Sequence, residues 1–245
     1  MQVKDKDDKG AHKRAAEGGV PVPTGTPSTR WQSRKPKETE EMSDTSSFDI
    51  GEILLAVEKP SRYTGGEVNA VRRAGGTDRL RVCLAFPDAY EVGMSHLGIQ
   101  ILYAILNSLP EVLCERCYAP WPDMEALLRR RRLPLHSLES HRPLSAFDVV
   151  GFSLQYELSY TNILTMLDLG GIPLRSADRH EAHPLIIAGG PAAFNPAPMS
   201  AFIDAFVIGE GEEAVTEIAA AVLDGRARGA RRPDQLAALA AVRGV

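Results

Sequence analysis

Cysteine is scarce in this sequence of 245 residues, and lysine is missing from most of it. The three cysteines form no disulfide framework, so we expect a protein of the reducing cytoplasm. All seven lysines lie at or before Lys59. This excludes a Walker A loop and a Schiff-base lysine from the rest of the chain.

Long apolar runs and a large excess of one charge are also missing. No run approaches the roughly 20 apolar residues that cross a bilayer, and the N-terminal MQVKDKDD lacks the apolar segment of a secretory signal. The formal net charge of −4 gives no reason to expect nucleic-acid binding. We therefore expect neither a membrane nor a nucleic acid as a partner.

The composition changes along the chain and divides it into four segments. Residues 1–47 are polar and broken by prolines, which predicts a disordered tail. Residues 48–79 form a lead-in without periodicity, and residues 80–225 form a folded domain. Residues 226–245 form a basic, glycine-broken linker, and the chain ends there without a closing feature. We expect a further domain to follow.

Short apolar runs alternate with amphipathic stretches from residue 80 onward, which predicts an α/β fold. The apolar runs at 149–154 and 185–188 are typical of strands covered on both faces of a parallel sheet. We therefore predict a flavodoxin-like, doubly wound, five-stranded parallel sheet with strand order 2-1-3-4-5. The predicted strands are 80–86, 112–118, 149–154, 185–188 and 205–208. The predicted helices are 97–109, 123–132, 160–169, 212–223 and, inside the linker, 234–242.

Ligands of such sheets bind beyond the carboxyl ends of the strands, where the strand order reverses. Four segments of the sequence fall there, after strands 1, 3, 4 and 5. The residues of these segments that we predict to line a binding site are Asp88, Tyr90, Gly93, Met94, Ser95, His96 and Gly98, then Ser153, Leu154 and Gln155, then Gly189, Gly190 and Pro191, and last Gly209 and Gly211.

The phrases at these strand ends resemble the N-terminal domain of the B12-binding radical SAM proteins, a family that joins a cobalamin-binding fold to an iron–sulfur barrel. The resemblance covers roughly residues 50–245. It implies a module that places a corrinoid, or the remnant of its pocket, over a radical SAM active site. The phrases that carry it are VEKP at 57–60, FPDAYEVGMSHLG at 86–98, APWPDME at 119–125, GFSLQYELSY at 151–160 and AGGP at 188–191.

The resemblance also implies roles for single residues. Asp88, Tyr90 and Gly93 occupy an Asp-x-His-x-x-Gly loop that holds cobalamin, with tyrosine in place of the cobalt-binding histidine. Residues 153–154 fall on a loop whose serine faces the nucleotide tail, and residues 189–190 form a glycine pair that admits a bulky ligand. A corrinoid would be held with its lower base off the cobalt and its tail in a cleft between strands 1, 3 and 4. Its lower cobalt face would be open or water-bound, screened by Tyr90.

The three-cysteine motif Cys-x-x-x-Cys-x-x-Cys does not occur in the sequence. By the resemblance, the [4Fe–4S] cluster and SAM belong to a barrel that is missing from this chain and acts in cis or in trans. We therefore do not expect this chain alone to be catalytic.

Simpler interpretations exist for several of these residues. Asp88 can fix a turn or cap a helix, Tyr90 can pack as a wall residue, His96 can begin a helix, and Ser153 can bond to backbone. The pair at 114 and 117 spells Cys-x-x-Cys, but strand positions three apart face opposite sides, which favours two structural cysteines.

The domain as a whole also has alternatives. It could be a cofactor-free docking lobe for the barrel, in which case large side chains would fill the cleft above Gly189 and Gly190. A phospho-receiver domain shares the fold, but it needs an aspartate at the end of strand 3, where Ser153 stands. It also needs a lysine after strand 5, where none occurs.

Overall fold

The computed structural model describes residues 50–73 and 79–245. The predicted disordered tail lies outside the described residues. The described chain forms a five-stranded sheet in the order β2-β1-β3-β4-β5, and every pairing in it is parallel. The strands are β1 Leu80–Phe86, β2 Val112–Tyr118, β3 Val149–Ser153, β4 Leu185–Gly189 and β5 Ala205–Val207. The predicted fold class and strand order are confirmed.

Helices cover both faces of the sheet. They are α1 Ile50–Leu54, α2 Tyr90–Ser95, α3 Leu97–Ser108, α4 Pro122–Arg131, α5 Tyr160–Leu169, α6 Gly211–Ala227 and α7 Arg232–Leu239. None of the described helices is both long and apolar enough to span a membrane.

Strands β3, β4 and β5 and helices α3, α4, α6 and α7 differ from their predicted bounds by one to four residues. Two of these differences have a clear physical reason. Strand β5 stops at Val207 because the N–H of Ile208 donates to the carbonyl of Gly244, at 2.7 Å, and so leaves the sheet ladder. Helix α6 continues four residues past the predicted end, to Ala227. The buried Gly225 lies on this extension, where a Cβ would already stand 3.4 Å from Gln235 Cγ of α7, so the glycine permits close helix packing.

Two apolar layers hold the sheet between the helices. Val150, Phe152 and Ile186 belong to the layer shared with α4 and α5. Val82 and Ile187 belong to the layer shared with α3, α6 and α7. Alternate residues of a strand point to opposite faces, so the continuous apolar runs feed both layers.

The two cysteines of the Cys-x-x-Cys phrase lie on opposite faces of β2. Cys117 is buried in the layer with α4 and α5, and Cys114 in the layer with α3 and α6. Burial raises the pKa of the Cys114 thiol well above its usual value. The two thiols diverge as strand geometry predicts. In the described ranges, no group of three or more His, Cys, Asp or Glu side chains is placed to hold a metal.

The segment predicted as a linker contains α7, which packs against α6. Leu239 of α7 is fully buried. Arg232, at the start of α7, donates to the buried carboxylate of Asp204 at 2.6 Å. The same carboxylate lies 3.0 Å from the buried guanidinium of Arg179. This Arg–Asp–Arg cluster joins α7 to the amino end of β5.

Candidate functional site

A cavity of about 520 Å³ lies between the sheet and helices α3 and α6. Leu80 and Val149, at the amino ends of their strands, line its deep end and are buried. Phe194 and Glu210 line the other end and are exposed. The cavity therefore opens at the carboxyl ends of the strands, where α/β sheets bind ligands.

Small residues create this space. Gly151 lies in the middle of β3, where a Cβ would meet only Leu84 Cδ2, at 3.5 Å. Gly190 has a φ of +115°, and a Cβ there would stand 2.8 Å from the carbonyl oxygen of Leu154. Gly190 must therefore be glycine for both its backbone angle and its close contact. The cavity extends beside Gly189 and Gly190, so the described side chains do not fill the cleft there.

Polar groups gather at the mouth of the cavity. Gln155 Nε2 donates to the Ser153 hydroxyl at 2.6 Å, which leaves the serine proton to donate to an acceptor. His96 caps the start of α3, where its Nδ1 accepts from the N–H of Ile99 at 3.4 Å. In the neutral ring, this bond places the remaining proton on Nε2.

The cavity brings together most of the residues that were predicted from strand ends. Parallel strands end at one edge of the sheet, so segments far apart in sequence converge there. Of the predicted residues, those that line the cavity are His96, Gly98, Ser153, Gln155, Gly189, Gly190, Pro191, Gly209 and Gly211. Those that do not line it are Asp88, Tyr90, Gly93, Met94, Ser95 and Leu154.

Tyr90 points to a different part of the molecule. Its hydroxyl donates to Glu67 Oε1 at 3.0 Å, and its ring stands edge-on to Tyr118 with centroids 5.5 Å apart. Burial and the Glu67 carboxylate raise the pKa of the Tyr90 phenol. A neutral phenol engaged with Glu67 is not available as a metal ligand in the cavity.

Comparison with known protein families shows which family the chain belongs to. The family described as "Radical SAM proteins, N-terminal" matches residues 98–245, more than half of the chain. The chain belongs to this family. This radical SAM N-terminal domain is also similar to the uncharacterized protein MJ0966 of Methanocaldococcus jannaschii, with 22% identity over 132 residues. That match covers 54% of the chain but only 24%, about a quarter, of the length of the relative. No solved structure matches.

Several predicted site residues that do not line the cavity belong to helix α2, and among them Gly93 and Met94 pack this helix against β2. At Gly93 a Cβ would lie 2.3 Å from the Tyr118 ring, so only glycine lets the helix approach the strand. Met94 Sδ accepts from the Tyr118 hydroxyl at 2.9 Å. Ser95 Oγ donates back to the carbonyl of Glu91 at 2.9 Å. These contacts give the Asp-x-Tyr-x-x-Gly phrase a packing role.

Asp88 and Leu154 join neighbouring strand ends of this domain. Asp88 Oδ2 accepts from the hydroxyl of Tyr156 at 2.8 Å, which links the loops after β1 and β3. The N–H of Leu154 donates to the carbonyl of Gly189 at 2.7 Å. Both residues therefore shape the rim without facing the space inside it.

A buried ion pair beside α2 was not predicted. Arg116 of β2 has no exposed surface and donates to Glu139 at 2.7 Å. Its guanidinium stacks 4.2 Å over the Tyr103 ring and lies 3.9 Å from Glu67. Burial raises the pKa of Glu139, although Arg116 opposes the shift. The sequence did contain a signal of this ion pair, since Arg116 interrupts a mainly apolar strand. An arginine is rarely buried without an oppositely charged partner.

Apolar residues of α3 and α6 were also missed as cavity lining. Leu102 of α3 and Val215 of α6 both line the cavity. The spacing of the apolar residues in these helices predicted that this face of each helix packs against the sheet. It did not indicate that a cavity lies between them. Gly151 gave the clearest signal, since a glycine inside a strand often marks a close approach by a ligand or backbone.

Proposed function

We propose that this radical SAM N-terminal domain binds a cobalamin-type corrinoid with its lower base off the cobalt and its nucleotide tail in the cavity. The corrinoid would thereby be positioned for the iron–sulfur and SAM-binding barrel of a radical SAM protein. The single observation that carries the proposal is the cavity of about 520 Å³ that opens beside Ser153 and Gly190. Its volume falls within the range of roughly 300–1,000 Å³ that is usual for small-molecule sites.

The residues around the mouth fit the tail of such a ligand. The cavity is a slot between sheet and helices, so it suits a narrow appendage, and the broad corrin ring would stay outside at the rim. Gly189 and Gly190 carry no side chains that would hold a ring away from the backbone. The Ser153 hydroxyl retains a proton for an acceptor on the tail.

No protein imidazole is supplied from the position that the Asp-x-His-x-x-Gly loop uses. Tyr90 is bonded to Glu67 and does not line the cavity. His96 does line it, but its Nδ1 caps α3. When bound, a corrinoid supplies a redox-active cobalt centre. The role of this chain would be to hold the nucleotide tail. Tyr90 would supply no ligand to the lower face of the cobalt.

The rim also suits contact with another domain. Leu97 and Phe194 are 68% and 71% exposed, and Leu158 is 86% exposed. All three lie on segments that follow the carboxyl ends of strands. Large apolar side chains that are exposed at such a rim are typical of interaction sites. They support the proposal that a barrel covers the mouth of the cavity.

Incubating the 245-residue chain with hydroxocobalamin tests this function. After gel filtration we expect cobalt to co-elute with the protein in stoichiometric amount, with the absorption spectrum of the base-off form and without features of an imidazole ligand. The matched variant Tyr90→Phe should keep the same uptake and spectrum. It loses only the bond to Glu67, which costs about 1 kcal/mol of folding stability.

Two results would contradict the proposal in different ways. Absence of retained cobalt from a folded wild-type chain would remove corrinoid binding. A histidine-ligated spectrum, or loss of uptake in Tyr90→Phe, would remove the proposed open cobalt face.

A second candidate function is a cofactor-free docking lobe for the barrel. It is favoured by the orientation of Tyr90 away from the cavity and by the exposed apolar rim. A chain that takes up no corrinoid but binds a separately expressed barrel domain would support this candidate.

A further inference from the structure

We infer that the cavity selects corrinoids whose lower base is an apolar aromatic ring, such as dimethylbenzimidazole, over those with an amino-substituted purine such as adenine. This inference rests on the proposed function, because it concerns the part of the corrinoid that would enter the cavity. It follows from the distribution of polar groups along the depth of the cavity.

Within residues 50–73 and 79–245, every polar side chain that lines the cavity lies at or near its mouth. Ser153 and Gln155 lie at the carboxyl end of β3, and His96 begins α3. Glu210 and Glu212 lie at the start of α6 and are exposed. The mouth can therefore serve the sugar and phosphate groups of a nucleotide tail.

The deep part of the cavity is lined by aliphatic side chains. Leu80 and Val149 come from the sheet, Leu106 from α3, and Ile218 from α6. Val149 lies four strand positions from Ser153, which at about 3.3 Å per residue places it roughly 13 Å below the mouth. The end of a tail that passes Ser153 would therefore lie among these side chains.

The described strand backbone beneath the cavity has few N–H or C=O groups left to bond with a ligand. Strands β1, β3 and β4 each have a parallel neighbour on both sides, so most of their N–H and C=O groups bond within the sheet. The N–H and C=O groups inside α3 and α6 are used in helical bonds. A buried donor or acceptor on the base would therefore stay without a partner in the deep part.

This difference sets the direction of the selectivity. Adenine carries an exocyclic amine and ring nitrogens, each of which loses its bonds to water on burial. Dimethylbenzimidazole with its base off the cobalt has a single free ring nitrogen, so it loses fewer bonds to water than adenine and gains contacts with the aliphatic walls. The cost of one unpaired buried group corresponds to about tenfold in affinity or more.

The test is a spectrophotometric titration of the 245-residue chain with two cobamides that differ only in the lower base. We expect the dissociation constant for the benzimidazolyl form to be lower than that for the adeninyl form by about tenfold or more. Equal affinities, or tighter binding of the adeninyl form, would overturn the inference and leave the proposed function intact. Failure of both cobamides to bind would overturn the proposed function itself.

The variant Val149→Thr adds a second readout at the deep end. It keeps nearly the same shape and places a hydroxyl where the base is expected. We expect it to narrow the preference by improving adeninyl binding relative to benzimidazolyl binding. An unchanged preference in folded V149T would contradict the placement of the base beside Val149.

Discussion

Replacing Asp204 with alanine should lower the free energy of unfolding by about 3–5 kcal/mol. The Asp204 carboxylate is fully buried and forms ion pairs with two guanidinium groups, those of Arg179 and Arg232. It also accepts from the N–H of Ile186, at 2.7 Å. The pKa of Arg179 is lowered by burial, although Asp204 opposes this, so removing the carboxylate leaves two cations in a poorly solvated site. Urea denaturation of the wild type and the variant gives the difference.

The matched control for this variant is Asp224→Ala. Asp224 forms an ion pair with Arg228 at 2.6 Å, but both side chains are 63% exposed. An exposed pair contributes about 0–1 kcal/mol, so the same substitution should have little effect there. If Asp204→Ala cost no more than Asp224→Ala, the buried cluster would not be what holds α7 to the sheet.

Replacing Gly151 with leucine should weaken cobalamin binding by about 10- to 100-fold without destabilising the free protein. The new side chain would project from the floor of the cavity into the space assigned to the nucleotide tail. Because the cavity above Gly151 has room for a side chain, the substitution should leave the free energy of unfolding unchanged or raise it by about 1 kcal/mol. Cobalamin titration and urea denaturation of the same sample separate the two effects.

The variant Gly151→Ala serves as the control at the same position. Its Cβ would meet only Leu84 Cδ2 at an ordinary contact distance of 3.5 Å. It should bind cobalamin nearly as well as the wild type. Equal affinities of the wild type and a stable Gly151→Leu variant would mean that the ligand does not enter the cavity.

Most of the fold could be predicted from the sequence because β3 and β4 are nearly continuous apolar runs, and mainly apolar β1 and β2 alternate with amphipathic helices. β1 and β2 have the predicted bounds, and the strand order follows from the βαβ alternation. The convergence of Ser153, Gly190 and Gly209 was also predictable. It requires only that parallel strands end at one edge of the sheet.

The orientation of Tyr90 could not be predicted in this way. The phrase around it was expected to form a loop at the binding site, but it forms α2. Tyr90 is turned toward Glu67, which lies 23 residues earlier in the chain, and toward Tyr118 of β2. Spacing within one phrase carries no information about such distant partners. The same limit applies to the Arg116–Glu139 pair, which joins a strand to a loop 23 residues later.

The affinity of the wild-type chain for cobalamin and for cobinamide, which has the corrin ring but no nucleotide tail, tests the central claim most directly. If the tail occupies the cavity, its aromatic base buries apolar area worth several kcal/mol, and cobalamin should bind at least about 100-fold more tightly. Equal affinities for the two corrinoids would contradict the account, because the cavity between the sheet and helices α3 and α6 would then have no part in binding.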